Sequence, residues 1–271
     1  MEYHLLTRSN QNYPKRLIER LGDDSPEKLY YWGPLDFLNR FTMGVISADS
    51  ITGAALWATN QLLFTIREYD LNLIGGWHSV METEIFRLGL FRKNMTVTLF
   101  TAKGLGNETF ESFLETRFYP PMHEFPEREE YFRRAKDGNL LMLSVSSPEE
   151  NKMTRKNIIL RNWIACNLAD VVFIPFAEKG TKTLAMAKRV LAAKIPIFTT
   201  DHTDNKALHQ LGIPGFSRKS VGNYMEELGA PIALPFRKDQ NQTVIHKPDL
   251  KPEEKSTSFL QGKLNFRFKT K

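Results

Sequence analysis

The sequence predicts an α/β protein: a Rossmann-like, mainly parallel sheet with helices on both faces, preceded by a short helical N-terminal lead-in. Three observations predict it. Short continuous apolar runs alternate with longer segments of helical periodicity. Turns containing Ser, Thr or Gly stand where each strand hands over to a helix. Connections of that length require parallel pairing, and parallel sheets are covered on both faces.

The elements follow in order. In the lead-in, residues 1–40, Tyr13 and Pro14 open a short helix to Leu21, Pro26 breaks it, and LYYWG ends at Gly33 in a turn. The core, residues 41–230, begins with a buried strand at 41–46 and a polar turn at 47–52 that caps a helix from Gly53 to about Tyr69. A strand at 71–74, the pair Gly75 and Gly76, and a helix capped by Ser79 and running to Leu90 come next. Residues 95–100 read as a strand, followed by a Gly-containing loop at 101–106. The stretch 107–138 is irregular, with aromatic, proline and acidic clusters, and reads as an insertion or lid. Strand 140–145, helix 153–167, strand 170–175, helix 181–193 and strand 195–199 complete the alternation. Residues 231–271 form a basic tail, read either as a solvated segment or as an arm for nucleic acid or a partner.

Composition narrows the function classes. At 271 residues, 41% hydrophobic and 25% charged, the chain has the make-up of an ordinary globular domain. Its single cysteine, Cys166, excludes an internal disulfide and a Cys-rich zinc site, and in an apolar helical setting it reads as a buried thiol in a reducing cytoplasm. The N-terminus lacks an export signal, and no apolar run approaches the ~20 residues of a membrane span. A cytoplasmic location without membrane contact is the expectation. The formal net charge of +6 favours a polyanionic partner. His4, His78, His123, His202, His209 and His246 form no HExxH and no compact set, so neither a metal nor a cofactor is expected.

In such sheets ligands bind beyond the carboxyl ends of the strands. That rule puts 47–52, 75–79, 101–104 and 176–183 on one rim. The strongest anion site is FAEKGTKTLAMAKR: Gly180 permits close backbone approach, Thr181 and Thr183 offer hydroxyls at a helix start, and Lys179 and Lys182 add charge. An ordinary capped helix start explains the same residues. The segment is not a P-loop, and there is no GxGxxG. Gly75, Gly76 and Ser79 allow close approach to a ligand or simply a tight turn, and Ser47 stands at the end of the first core strand. His78 with Glu82 four residues on keeps acid–base chemistry open against a packing role. Arg161 and Asn162 interrupt an apolar helix, and Arg161 needs solvent, an acid or a phosphate. Phe118, Tyr119, Phe125, Tyr131 and Phe132 either stack bases or pack the insertion.

The order of these motifs resembles the DNA-processing protein A (DprA/Smf) family from about Tyr13 to Gly212. Tyr13-Pro14, Leu17 and Pro26-x-x-Leu29-Tyr30-Tyr31-Trp32-Gly33 are similar to its entry. Leu160-Arg161-Asn162-Trp163-Ile164 resembles the family's Arg-Asn-Arg-Ile-Ile helix, and Lys179-Gly180-Thr181 stands where the family has Ser-Gly-Ser. Asn205, Leu208 and Gly212 fall at the spacing of its Asn-x-Leu-Ile-x-x-Gly-Ala ending. Two departures stand out. The family's Gly-Ser/Thr-Arg turn reads Ser47-Ala48-Asp49, an acid replacing a phosphate-facing cation. Its Ser-Gly-Leu-Ala-x-Gly-Ile-Asp motif reads Gly75-Gly76-Trp77-His78-Ser79-Val80-Met81-Glu82.

The resemblance implies a Rossmann-like fold and a non-catalytic DNA-binding protein of recombination or DNA uptake, with single-stranded DNA as ligand, a recombinase as protein partner and a homodimer as assembly. On this reading Ser47, Gly75, Gly76, Ser79, Arg161, Asn162, Lys179, Gly180, Thr181, Lys182 and Thr183 form the nucleic-acid or phosphate site. The alternatives are a nucleotide sensor, a phosphoribohydrolase-like enzyme of the same fold, or an interaction scaffold. Hydrolases of that fold carry Pro-Gly-Gly-x-Gly-Thr-x-x-Glu, of which this chain keeps only Gly180-Thr181.

Overall fold

A computed structural model of the chain describes residues 2–106 and 135–233, with Thr109, Glu129, Phe132 and Arg133 from the intervening stretch. Most of the expected insertion at 107–138, and the tail beyond Ala233, lie outside the described residues.

The described strands form one sheet. In chain order they are β1 (His4–Thr7), β2 (Lys28–Trp32), β3 (Thr42–Val45), β4 (Leu71–Gly75), β5 (Met95–Thr101), β6 (Leu140–Ser144), β7 (Val171–Phe173), β8 (Ile197–Thr200) and β9 (Gly215–Phe216). Their spatial order is β1-β2-β6-β5-β4-β3-β7-β8-β9. From β6 to β9 every pairing is parallel, as the crossover argument requires. The chain winds one way from β3 through β4 and β5 to β6, then returns beside β3 as β7 and winds the other way. The switch point therefore lies between β3 and β7.

The helices are α1 (Lys15–Leu21), α2 (Gly53–Ile66), α3 (Val80–Phe91), α4 (Arg155–Leu168), α5 (Lys182–Ala192), α6 (Lys206–His209) and α7 (Val221–Glu227). The period-2 alternation of the strands sorts the interior into two layers. Leu71, Leu73, Val97, Leu99, Leu140 and Met142 face one side, where they meet Leu62 and Ile66 of α2, Ile85 and Phe86 of α3, and Met225 of α7. Ile74, Phe100, Leu141, Leu143 and Val172 face the other, against Leu17 of α1, Ile164 and Leu168 of α4, and Leu184 and Val190 of α5. Each of the four long helices starts at the same end of the sheet on a hydroxyl cap: Thr52 accepts the Ala55 N–H at 3.1 Å, Ser79 that of Glu82 at 3.2 Å, Thr154 that of Asn157 at 3.1 Å, and Thr181 that of Leu184 at 3.2 Å.

The structure departs from the sequence expectations in the lead-in and at one helix end. LYYWG is not a turn as a whole. Lys28–Trp32 is a strand that pairs antiparallel with β6, placing Tyr31 opposite Leu143, and only Gly33, at φ 99°, turns. β1 adds to its free edge, so the lead-in extends the main sheet. Helix α2 ends at Ile66, short of Tyr69, because Tyr69 bridges Ile232 and the Asp70 N–H reaches the Pro231 carbonyl at 2.7 Å. At the amino ends of the strands Asp170 fastens the lead-in to the core. One carboxylate oxygen accepts the Thr42 N–H at 2.7 Å and the other meets the Arg16 guanidinium at 2.6 Å.

Candidate functional site

The carboxyl ends of β3, β4, β5 and β7 carry the loops 46–52, 75–79, 101–106 and 174–181 to one rim. The loops on either side of the switch point are joined directly, the Ala48 N–H to the Phe176 carbonyl at 3.0 Å and the Ile46 N–H to the Phe173 carbonyl at 3.2 Å. The loops after β5 and β6 are closed on each other. The Gly104 and Gly106 N–H groups reach the Glu150 and Pro148 carbonyls, and the Ser144 hydroxyl reaches the Lys103 carbonyl at 2.8 Å.

The sequence-derived residues divide into two groups. Ser47, Gly75, Gly76 and Ser79 are buried beneath the rim, as is Arg161, which is 3% exposed. Arg161 comes from α4 and reaches across the sheet ends to give Nη1 to the Phe100 carbonyl at 3.0 Å. Its guanidinium lies flat against Gly76, where any Cβ would overlap it, so this glycine is demanded by close approach rather than by a turn. From the opposite layer, Glu82 on α3 is also buried. Its carboxylate accepts the Ser47 N–H at 2.9 Å and the His78 N–H at 3.0 Å. Trp77 completes this half: its backbone is left-handed at φ 57°, held there by a fully buried indole that donates to the Thr98 carbonyl at 3.1 Å.

Burial dominates the electrostatics. It pushes the Glu82 carboxyl up, against the two N–H bonds and the Arg161 charge that favour its ionised form. It pulls Arg161 down to about 10, against the opposing influence of Glu82, and Arg161 remains a cation at neutral pH. Glu82 appears on the sequence only as a partner for the His78 ring. The structure bonds its carboxylate to the His78 backbone and to a second loop 35 residues away. The Ser79-x-x-Glu82 spacing is that of a capping box, the signal by which its role at the helix start was legible.

The second group is exposed. Lys179, Gly180 and Lys182 stand at the surface, with Gly180 at φ 85°, while Thr181 and Asn162 are half-buried and Thr183 is buried. The Thr181 hydroxyl is engaged within the turn: it donates to the Glu178 carbonyl at 2.7 Å and accepts the Leu184 N–H. The sequence reading also passed over a cluster at the start of α4, where Lys152, Arg155 and Lys156 are exposed and the first helical turn has no acid. Among the described residues Lys152, Arg155, Lys156, Lys179 and Lys182 make no ion pair. The spacing K-x-x-R-K before an apolar helix was the available signal. Asp49 is exposed.

Cys166 is fully buried and its thiol is pushed up to about 12 by that burial, which suits packing and not nucleophilic chemistry. Of the aromatics at 118–132, only Phe132 is among the described residues, half-buried against the core. No described helix is long and apolar enough to cross a membrane. Two cavities lie away from the rim, one of about 550 Å³ between the lead-in and the core around Tyr13, Arg16 and Asp36, and one of about 390 Å³ between α2 and α3.

The strand order and the switch point, with the buried clasp beneath it, define a Rossmann-like α/β protein. The chain matches the family model for DNA recombination-mediator protein A over residues 4–112. Its fold is that of DNA processing protein A from Streptococcus pneumoniae, at TM-score 0.64 and 16% identity over 84% of this chain and 74% of that one. The Helicobacter pylori protein, whose single-stranded DNA binding mode has been described, gives TM-score 0.64 and 17% identity over 84% and 97%. No curated protein matches in sequence.

Proposed function

We propose that this protein binds single-stranded DNA along the later half of the rim, with Lys179 and Lys182 on one side and Lys152, Arg155 and Lys156 on the other contacting phosphates. The observation that carries this reading is that these cations are exposed and make no ion pair among the described residues, whereas in the other half the Glu82 carboxylate is buried and engaged by the Ser47 and His78 N–H groups. Exposed Lys and Arg side chains without acidic partners raise the local concentration of a polyanion and release its counterions on contact. Single-stranded DNA binding by the Helicobacter pylori relative supports the choice of ligand. Arg161 acts from below on this reading, holding Gly76 and the strand ends in place. Recombination or DNA uptake, with a recombinase as partner and a homodimer as the assembly, is the process the same reading implies.

The test is fluorescence anisotropy with a labelled thirty-nucleotide oligo-dT across a potassium chloride series. Binding should weaken linearly on a log–log plot, and the double variant Lys179→Ala/Lys182→Ala and the triple variant Lys152→Ala/Arg155→Ala/Lys156→Ala should each flatten the slope by about 0.7 per lost phosphate contact. Absence of binding at low salt, or a slope that neither variant changes, would overturn the proposal. Stabilisation by a nucleoside monophosphate without oligonucleotide binding would mark a nucleotide sensor instead.

A further inference from the structure

The loop after β3 and the amino end of α3 together have the make-up of an anion site: converging backbone N–H groups and the positive end of a twelve-residue helix. In this chain that place is taken. The two oxygens of Glu82 take one N–H each, from Ser47 and His78, and the Glu82 N–H is itself capped by the Ser79 hydroxyl. Glu82 is 7% exposed, and Arg161, 3% exposed, supplies opposite charge from the other layer.

Two donors are left over. The Ser47 hydroxyl and the Arg161 Nε are both buried and without a hydrogen-bond partner. A buried donor left unsatisfied is costly, and few occur without a reason. A carboxylate has only two oxygens, and both are already engaged with main-chain N–H groups. A tetrahedral oxyanion brings two more, which matches the number of donors remaining.

We infer that Glu82 is an internal anion filling a latent phosphate site, and that it closes the Ser47–Ser79 half of the rim to ligand. The site's donors are the Ser47 and His78 N–H groups, the Ser47 hydroxyl and the Arg161 guanidinium; its natural class of ligand is an inorganic or terminal phosphate. The inference does not depend on DNA being the ligand of the other half.

Removing the carboxylate while keeping the donors opens the site. Thermal unfolding of Glu82→Ala should show a lowered Tm that inorganic phosphate at tens of millimolar raises by at least about 4 °C over a chloride control of equal ionic strength. Wild type should show no such gain. Glu82→Gln, which keeps the space filled, should be destabilised without phosphate rescue, and Glu82→Ala/Arg161→Met should lose the rescue. Should Glu82→Ala fold poorly, its refolding yield with and without phosphate reads the same question, and a higher yield in phosphate supports the site. Equal yields, a Glu82→Ala Tm indifferent to phosphate, or a gain in wild type as large as in the variant would overturn the inference.

Discussion

The Arg161 guanidinium and the Gly76 main chain occupy one slot: the side chain lies where a Cβ at position 76 would have to be, and Nη1 reaches past it to the Phe100 carbonyl at 3.0 Å. Glycine and arginine therefore act as a pair. Gly76→Ala should cost about 1–3 kcal/mol by overpacking, and Arg161→Met should be destabilising by leaving the Phe100 carbonyl and Glu82 without their cation. In the double variant the costs should fail to add, with a coupling of roughly 0.5–3 kcal/mol. Urea denaturation of the four proteins in the cycle measures it, and strict additivity would show that the two residues act separately.

At the opposite end of the sheet, Asp170 joins three parts of the chain through Thr42 and Arg16. Asp170→Ala leaves the Thr42 N–H and the Arg16 guanidinium without their acceptor. The expected cost is about 2–3 kcal/mol, in the range for hydrogen bonds to a charged group. Hydrogen exchange should localise the loosening to α1 and the start of β3. A loss confined to the tail, or none, would contradict the role assigned to it.

The α5 start separates stability from binding. Thr181 caps the helix, so Thr181→Ala should lower stability by about 1 kcal/mol. Gly180 holds a left-handed backbone at φ 85°, so Gly180→Ala should cost roughly 1 kcal/mol through backbone strain. Lys182→Ala touches neither feature and should stay within about 0.5 kcal/mol of wild type. Chemical denaturation of the three variants checks the order, and a Lys182→Ala protein as unstable as Thr181→Ala would show that the lysine is structural.

Cys166 should resist a thiol reagent in the native protein. With its thiol held up to about 12, the thiolate at pH 8 is roughly one molecule in ten thousand, and the sulfur is out of contact with solvent. Labelling by a thiol-exchange reagent should appear only on addition of guanidinium chloride. The pH sign follows from the same shift. The folded protein holds this proton more tightly than the unfolded chain, so the contribution is full below the ordinary thiol range and is lost as pH rises from about 9 toward 12. Cys166→Ala should lack that part of the alkaline decline. Rapid stoichiometric labelling of the native protein would refute the assignment.

How much of this was legible beforehand depends on the range of the interaction. The parallel core was readable because apolar runs and hydroxyl caps are local: Thr52, Ser79 and Thr181 each satisfy a donor three residues away, and a donor so near is visible in sequence spacing. The strand at Lys28–Trp32 was not, because its tyrosines and tryptophan favour a strand but name no partner, and the one it pairs with, β6, comes 110 residues later. The rim was readable as a set of loops, since strand order alone puts them at one end.

What the sequence by itself determined is the class of fold and the end of the sheet at which the loops carrying its candidate residues gather. Only the tertiary structure decided which of those residues face outward. Arg161 and Ser47 have the chemistry of surface contacts, yet they are turned inward by partners far along the chain, Phe100 and Glu82. Lys152, Arg155 and Lys156 stay outside and make no ion pair among the described residues. A buried charge must be compensated, and whether the compensating group is the protein's own or a ligand's is settled by packing between distant segments, which no local pattern records.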